Sequence, residues 1–120
     1  MVEQTPEQLD VVFRALADAS RRDMLRRLTV GELSIGELAD PLDMSFAAAS
    51  KHVRVLEDAG LVERSIQGRR HLCRLVPARL GEAHRWLSFY QRFWSGRLDA
   101  LAEALGQPER TSGPSRRRRR

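Results

Sequence analysis

The sequence contains a single cysteine, Cys73, in 120 residues. One thiol cannot form a disulfide within the chain, and chains that lack disulfides suit reducing compartments. The sequence also lacks an apolar run long enough to span a membrane, and its N-terminal stretch, MVEQTPEQLD, is polar and acidic rather than signal-like. We therefore expect a cytoplasmic protein with no membrane partner.

Residues that would indicate an enzyme are also missing. The sequence has no phosphate-binding glycine loop. His71 and Cys73 point the same way on a predicted strand, but no third group that could orient them stands at a recognisable spacing. We predict no catalytic residues and no cofactor, and we expect Cys73 to be a small packing residue. A thiol that senses oxidants is the second interpretation of Cys73.

Charge is distributed unevenly along the chain. Residues 116–120 are five arginines, and residues 1–115 carry 16 basic and 16 acidic side chains. Residues 1–44 sum to −4, residues 45–79 to +4, and residues 80–115 to zero. Because phosphate neutralisation supplies most non-specific affinity for nucleic acid, the basic segment predicts a DNA-binding face.

Four helices are predicted before this basic segment ends. The first covers about residues 6–18, with Thr5 as its N-cap and an apolar face of Leu9, Val12, Phe13 and Leu16. The second follows Ser20, which has capping-box spacing to Asp23. The third begins at Ser34, whose capping-box partner is Glu37, and closes near Asp40 because Pro41 lacks a backbone donor. The fourth follows Ser45 and stops at Gly60.

The fourth helix and the hairpin after it form the predicted DNA-reading unit. Ala49, Val53 and Leu56 are the buried stripe of the helix, and its slim, alanine-rich start can approach base edges closely. Residues 61–66 and 71–76 are predicted strands, joined by a glycine turn with two arginines and no acidic neighbours. His52 has two interpretations, a phosphate contact or a backbone hydrogen bond that holds the helix. The predicted DNA-binding residues are Ser45, Phe46, Ala47, Ser50, Lys51, His52, Arg54, Gln67, Arg69 and Arg70.

The last helix, about residues 78–105, carries apolar side chains at alternating steps of three and four residues, as in a helix packed on another helix. This face is too broad for a small core to cover, and burial against a second copy with help from the first helix predicts a two-fold dimer. A helix buried within its own chain is the alternative. The predicted dimer interface is Leu9, Val12, Phe13, Leu16, Leu87, Tyr90, Trp94, Leu98, Leu101 and Leu105. Residues 1–105 would form this DNA-binding and dimerisation domain, and residues 106–120 a disordered Arg-rich tail.

The strings LADASRRDMLRRL, SIGELADPLDMSFAAASKHVRVLEDAGLV and GRRHLCRL resemble the ArsR-type winged helix-turn-helix repressors of bacteria and archaea. The resemblance covers about residues 9–105 and is most specific in SKHVRVLEDAGLVERS. It implies a mainly α, α+β fold with five helices and a two-stranded β-hairpin wing. It also implies a homodimer that represses transcription on double-stranded DNA and is usually released by an effector, which the sequence does not identify.

The sequence departs from the metal-sensing members of this family. Those proteins carry a Cys-x-Cys pair after a Glu-Leu, and here Ala39 and Pro41 occupy the two cysteine positions. The last helix offers only His84 for the family's second metal site. Because one cysteine cannot build a soft thiolate site, we predict no metal site and a regulator that does not respond to metal. The rival class is a winged-helix module that binds protein rather than DNA.

Overall fold

The computed structural model describes residues 6–106, and the chain divides into two compact units at the boundary between Arg85 and Trp86. No helix within the described residues has both the length and the apolar character needed to cross a membrane. The elements in chain order are α1 (Pro6–Leu16), α2 (Ala19–Leu28), β1 (Leu33–Ser34), α3 (Ile35–Ala39), a 3-10 turn (Asp40–Leu42), α4 (Phe46–Asp58), β2 (Val62–Gln67), β3 (Arg70–Leu75) and α5 (Ala78–Ala104).

The junction between α1 and α2 differs from the sequence prediction. Helix α1 ends at Leu16 rather than residue 18, and the N-cap of α2 is Asp18 rather than Ser20. Asp18 has extended backbone angles, and its Oδ1 accepts the Arg21 N–H at 3.1 Å. Ser20 and Asp23 already lie inside the helix, so their spacing is not a capping box. The predicted cap Thr5 lies outside the described residues.

The helix-turn-helix segment follows the prediction closely. The Glu37 N–H donates to Ser34 Oγ at 3.1 Å and the Ser34 N–H to Glu37 Oε1 at 2.8 Å, which completes the capping box at α3. Helix α3 ends at Ala39, just before Pro41, and the chain turns through Asp43 at φ 54°. Ser45 Oγ then accepts the Ala48 N–H at 3.0 Å and starts α4.

The hairpin is confirmed, and a third strand that the sequence did not reveal extends it. The sheet order is β1-β3-β2, all antiparallel, with Val62 opposite Leu75 and Gln67 opposite Arg70. Gly68 turns the hairpin at φ 63°, a backbone angle that favours glycine. Strand β1 has only two residues, and the second of them, Ser34, is also the α3 cap. The strand is therefore too short for an alternating pattern to be visible.

The core of the first unit lies between the helices and the sheet. Its fully buried side chains include Met24, Ile35, Leu38, Leu56 and Leu61. Val12, predicted to face a second chain, is also fully buried, because the middle of the α1 apolar stripe packs inward. Val12 therefore belongs to the core of the protomer. The other predicted α1 interface residues are only partly buried against it, namely Leu9, Phe13 and Leu16.

Helix α5 spans nearly the predicted range and begins in the first unit, where Ala83 is buried and Leu80 packs on the core. In the second unit its large apolar side chains are all about half exposed or more. The Arg-rich tail lies outside the described residues, apart from Gly106.

Candidate nucleic-acid interface

Helix α4 buries one face and exposes the predicted DNA-binding face. Ala49, Val53 and Leu56 are fully buried, and α3 packs against the helix. On the other side Phe46 is 59% exposed, although its side chain is large and apolar. The remaining predicted contacts at this end of the first unit are exposed or half-buried, namely Ser45, Ala47, Ser50, Lys51, His52 and Arg54.

The basic side chains of α4 are weakly paired. Arg54 Nε lies 4.0 Å from Asp58 Oδ1 and both side chains are largely exposed, so this pair is worth little. Within residues 6–106, Lys51 has no ion-pair partner. The exposed face of α4 therefore presents positive charge that its own acids do not neutralise.

His52 is held by a residue that the sequence did not single out. Arg21 Nη1 lies 3.2 Å from His52 Nδ1, while the same guanidinium donates to Ala15 O at 2.7 Å and Arg14 O at 3.1 Å. Arg21 thus joins the end of α1 to α4 through the His52 side chain, and this holding contact is between two side chains rather than the expected backbone bond.

The two arginines of the wing tip have different surroundings. Arg69 lies in the turn, exposed, with no ion-pair partner among the residues the structure describes. Arg70 Nη2 lies 3.4 Å from Glu37 Oε1, so the expectation that no acid lies near these arginines is wrong for Arg70. Hydrogen bonds from Ser34, with a smaller effect of Arg70, lower the pKa of Glu37. The sequence concealed this contact because the two residues are 33 positions apart.

A polar cluster at the base of the wing ties it to α4. Arg64 Nη2 donates to Glu57 Oε1 at 2.6 Å, and Arg64 Nη1 lies 3.2 Å from His71 Nδ1. Only 18% of the Arg64 side chain and 26% of the Glu57 side chain are exposed. The hydrogen bond to Glu57 raises the pKa of Arg64. Glu57 is in the last turns of α4, Arg64 in β2 and His71 in β3, so the cluster connects both predicted DNA-contacting elements.

Cys73 lies on the same face of the hairpin and is fully buried. Burial raises the pKa of its thiol to about 11, against an opposing effect of Arg64. Because the thiolate is the species that reacts with oxidants, this environment opposes redox sensing. It agrees with a packing role. Among residues 6–106, no three His, Cys, Asp or Glu side chains come together as a metal site would require.

The second unit presents an exposed aromatic face along α5. Phe89 and Tyr90 stack edge to face with ring centroids 4.9 Å apart, and the Trp86 and Tyr90 rings are 5.0 Å apart. Arg92 lies over the Phe89 ring at 5.3 Å. The face continues along the helix, and its predicted interface residues are about half exposed or more, namely Leu87, Tyr90, Trp94, Leu98, Leu101 and Leu105. An isolated soluble chain rarely leaves a face of this kind uncovered.

A helix-turn-helix braced by α1 and α2, with a three-stranded sheet whose hairpin projects as a wing, defines a winged helix-turn-helix protein. Residues 16–65 match the family model described as a helix-turn-helix domain. The chain is 38% identical over 96 residues to the HTH-type transcriptional regulator Rv2034 of Mycobacterium tuberculosis, covering 80% of this chain and 87% of that protein. The chain belongs to the ArsR family of transcriptional regulators.

Solved structures agree with this assignment. The crystal structure of an ArsR family transcriptional regulator matches with a TM-score of 0.70 and 38% identity, covering 78% of this chain and 97% of that one. The homodimeric winged helix-turn-helix DNA-binding domain of a possible ArsR-family regulator from Mycobacterium bovis matches with a TM-score of 0.59 and 27% identity, covering 75% and 92%.

Proposed function

We propose that this regulator represses transcription as a homodimer that binds a two-fold operator in double-stranded DNA. The observation that carries the proposal is the exposed basic face of α4 beside a basic wing tip, where Lys51 and Arg69 lack acidic partners within the described residues. Lys51 on α4 and Arg69 on the wing are two cations without neutralising acids. Such cations favour contact with DNA phosphates over contact with a protein partner.

In this proposal α4 enters the major groove with its N-terminal half nearest the bases. Ala47 is small enough to contact a thymine methyl, and Lys51 can reach guanine acceptors or phosphate. Phe46 is apolar and exposed at the same end of the helix. Such a side chain suits a residue that becomes buried when the protein binds DNA. His52 is a half-buried member of the same face, and Arg21 holds its ring through a contact at Nδ1.

The wing supplies contacts that position the protein without specifying sequence. Arg69 is the principal phosphate contact. Arg70 is partly neutralised by Glu37 and contributes less. Gln67, at the end of β2, is the third polar side chain at the wing tip.

The dimer is supported by the exposed aromatic face of α5 and by the homodimeric relative from Mycobacterium bovis. A two-fold dimer of this class predicts a pseudo-palindromic operator whose half-sites are about one helical turn apart. Repression would follow from occlusion of the promoter. Regulation would not depend on metal, because Ala39 and Pro41 stand where metal-sensing relatives carry thiolates.

The test is selection of binding sites from a random duplex library, followed by affinity measurements across a salt series and with Zn²⁺ added. We expect an enriched inverted repeat, two chains per site and a steep salt dependence that Zn²⁺ leaves unchanged. A library without enrichment, together with salt-insensitive binding, would favour the protein-binding module. A stoichiometric zinc site that releases the DNA would contradict only the claim about metal.

A further inference from the structure

An open groove in the first unit lies where four elements meet, and DNA binding does not use it. Its volume is about 230 Å³. The apolar floor comes from the end of α1, the middle of α2, the end of β3 and the first turn of α5. The four leucines of this floor are Leu16, Leu25, Leu75 and Leu80, and of these Leu16 alone is also a predicted dimer-interface residue.

Two arginines of α2, Arg22 and Arg26, line the same groove, and no acidic side chain of the described residues lines it. Among the described residues, Arg22 Nη1 donates to a backbone oxygen, Leu16 O at 2.7 Å, and forms no ion pair. Arg26 pairs with Asp23 at 2.7 Å, but Asp23 also binds Arg27 at 2.9 Å. One carboxylate is thus shared between two guanidinium groups, which leaves this helix strongly positive.

We propose that this groove is a binding site for a small organic anion with an unbranched apolar body, a short- or medium-chain carboxylate. The leucine floor takes the hydrocarbon, and the arginines take the head group through charge-assisted hydrogen bonds. A volume below that of pockets for drug-sized ligands fits a small ligand. A neutral or cationic amphiphile would bring no negative charge to the guanidinium groups.

The groove is lined by residues from two parts of the chain that the proposed function uses, the wing strand and α5. Leu75 ends the strand that begins at the wing, and Leu80 lies in the first turn of the helix whose later residues carry the aromatic face. A carboxylate seated on both residues would contact the junction of the wing strand and α5 directly.

The experiment follows the leucine methyl resonances of the full chain by NMR during titration with octanoate, octylamine and octanol, each below its micellar concentration. We expect octanoate to shift the methyl signals of the four floor leucines saturably, and octylamine at equal concentration to leave them in place. From pentanoate to octanoate, each added methylene should tighten Kd by up to about fourfold.

Two variants complete the test. Arg22→Gln with Arg26→Gln should weaken octanoate binding by about tenfold. Arg85→Gln with Arg97→Gln removes the same charge from two exposed positions of α5 that do not line the groove, and should leave Kd unchanged. The proposal is overturned if octylamine binds as well as octanoate, if both double variants behave alike, or if the shifted methyls lie outside the floor. It is also overturned if no compound shifts any signal. None of these outcomes depends on DNA binding.

Discussion

At the scale of single residues, short polar side chains decide where the elements begin. Ser34 and Ser45 could be identified as caps from the sequence, since each stands directly before an apolar-periodic run. At α2 the sequence predicted a cap at Ser20, but the backbone places the cap at Asp18, two residues earlier. The spacing from Ser20 to Asp23 matches a capping box, but both residues lie inside α2 and form none.

The identity of this cap gives a first prediction. Asp18→Ala should lower the free energy of unfolding by about 1 kcal/mol, because the Arg21 N–H loses its acceptor, whereas Ser20→Ala should change it little. Thermal and urea unfolding of both variants measure the difference. If Ser20→Ala lowers the free energy of unfolding as much as Asp18→Ala, or more, the assignment of Asp18 as the cap is contradicted.

The cap should also depend on pH. The hydrogen bond from the Arg21 backbone lowers the pKa of Asp18 below 3.8, so its ionised form stabilises the folded chain. This contribution is complete above about pH 4 and is lost as the pH falls through the lowered folded-state pKa. The gap in stability between the wild type and Asp18→Ala should therefore narrow in acid.

On the recognition helix, Lys51→Ala should weaken binding to the selected operator by about 1–3 kcal/mol per half-site if the side chain reads a base edge. Arg54→Ala should cost less, because Arg54 lies beyond the N-terminal half of α4 that is proposed to lie nearest the bases. Fluorescence anisotropy on operator and scrambled duplexes separates loss of specificity from a uniform loss of affinity. Unchanged operator affinity with intact circular dichroism would show that α4 does not read the bases.

At the scale of elements, the wing and α4 act as one unit because a half-buried polar cluster joins them. Glu57 and Arg64 are seven residues apart, and no local pattern links them. Sequence patterns reveal faces of one helix or one strand, so they found the buried stripe of α4 and the glycine turn. They could not reveal Arg21 against His52, Glu37 against Arg70, or the two-residue strand β1, because each depends on how distant elements pack.

The cluster can be tested with a double-mutant cycle. Glu57→Gln and Arg64→Met, singly and together, should give a coupling energy of about 1.5–3 kcal/mol in unfolding, as expected for a charged hydrogen bond that is mostly withdrawn from water. The exposed pair of Glu63 and Arg74 on the same hairpin is the matched control and should give about 0.2–1 kcal/mol. Equal coupling in the two cycles would remove the special role of the cluster.

The wing tip gives a prediction about salt dependence. Arg69→Ala removes one phosphate contact per protomer, so the slope of log affinity against log salt should fall by nearly two for a dimer. Arg70→Ala should reduce the slope less, because Glu37 partly neutralises that charge. Binding isotherms at four or five salt concentrations measure both slopes. A slope that Arg69→Ala leaves unchanged would place the wing away from the DNA.

At the scale of the whole molecule, the chain carries two exposed surfaces of opposite character. The first unit has a basic face whose cations are not neutralised. The second unit has an apolar helix face whose exposure to water is unfavourable. The sequence revealed both, through the charge of residues 45–79 and the three- and four-residue steps of the last helix. It did not reveal which α1 residues belong to the core of the single chain, because an apolar stripe on a helix can pack either in that core or against a second chain.

The most direct test of the central claim, a DNA-binding dimer held together by α5, is sedimentation of Leu98→Glu with and without operator. Leu98 is 48% exposed in the single chain, and a two-fold axis would bury the new carboxylate twice without a partner. Arg97→Gln, next to it on the helix, makes the same change in net charge and is the control. We predict a monomeric or insoluble Leu98→Glu protein with weakened operator binding, and a dimeric Arg97→Gln protein that binds normally. A Leu98→Glu protein that sediments as a dimer and binds the operator with wild-type affinity would contradict the account.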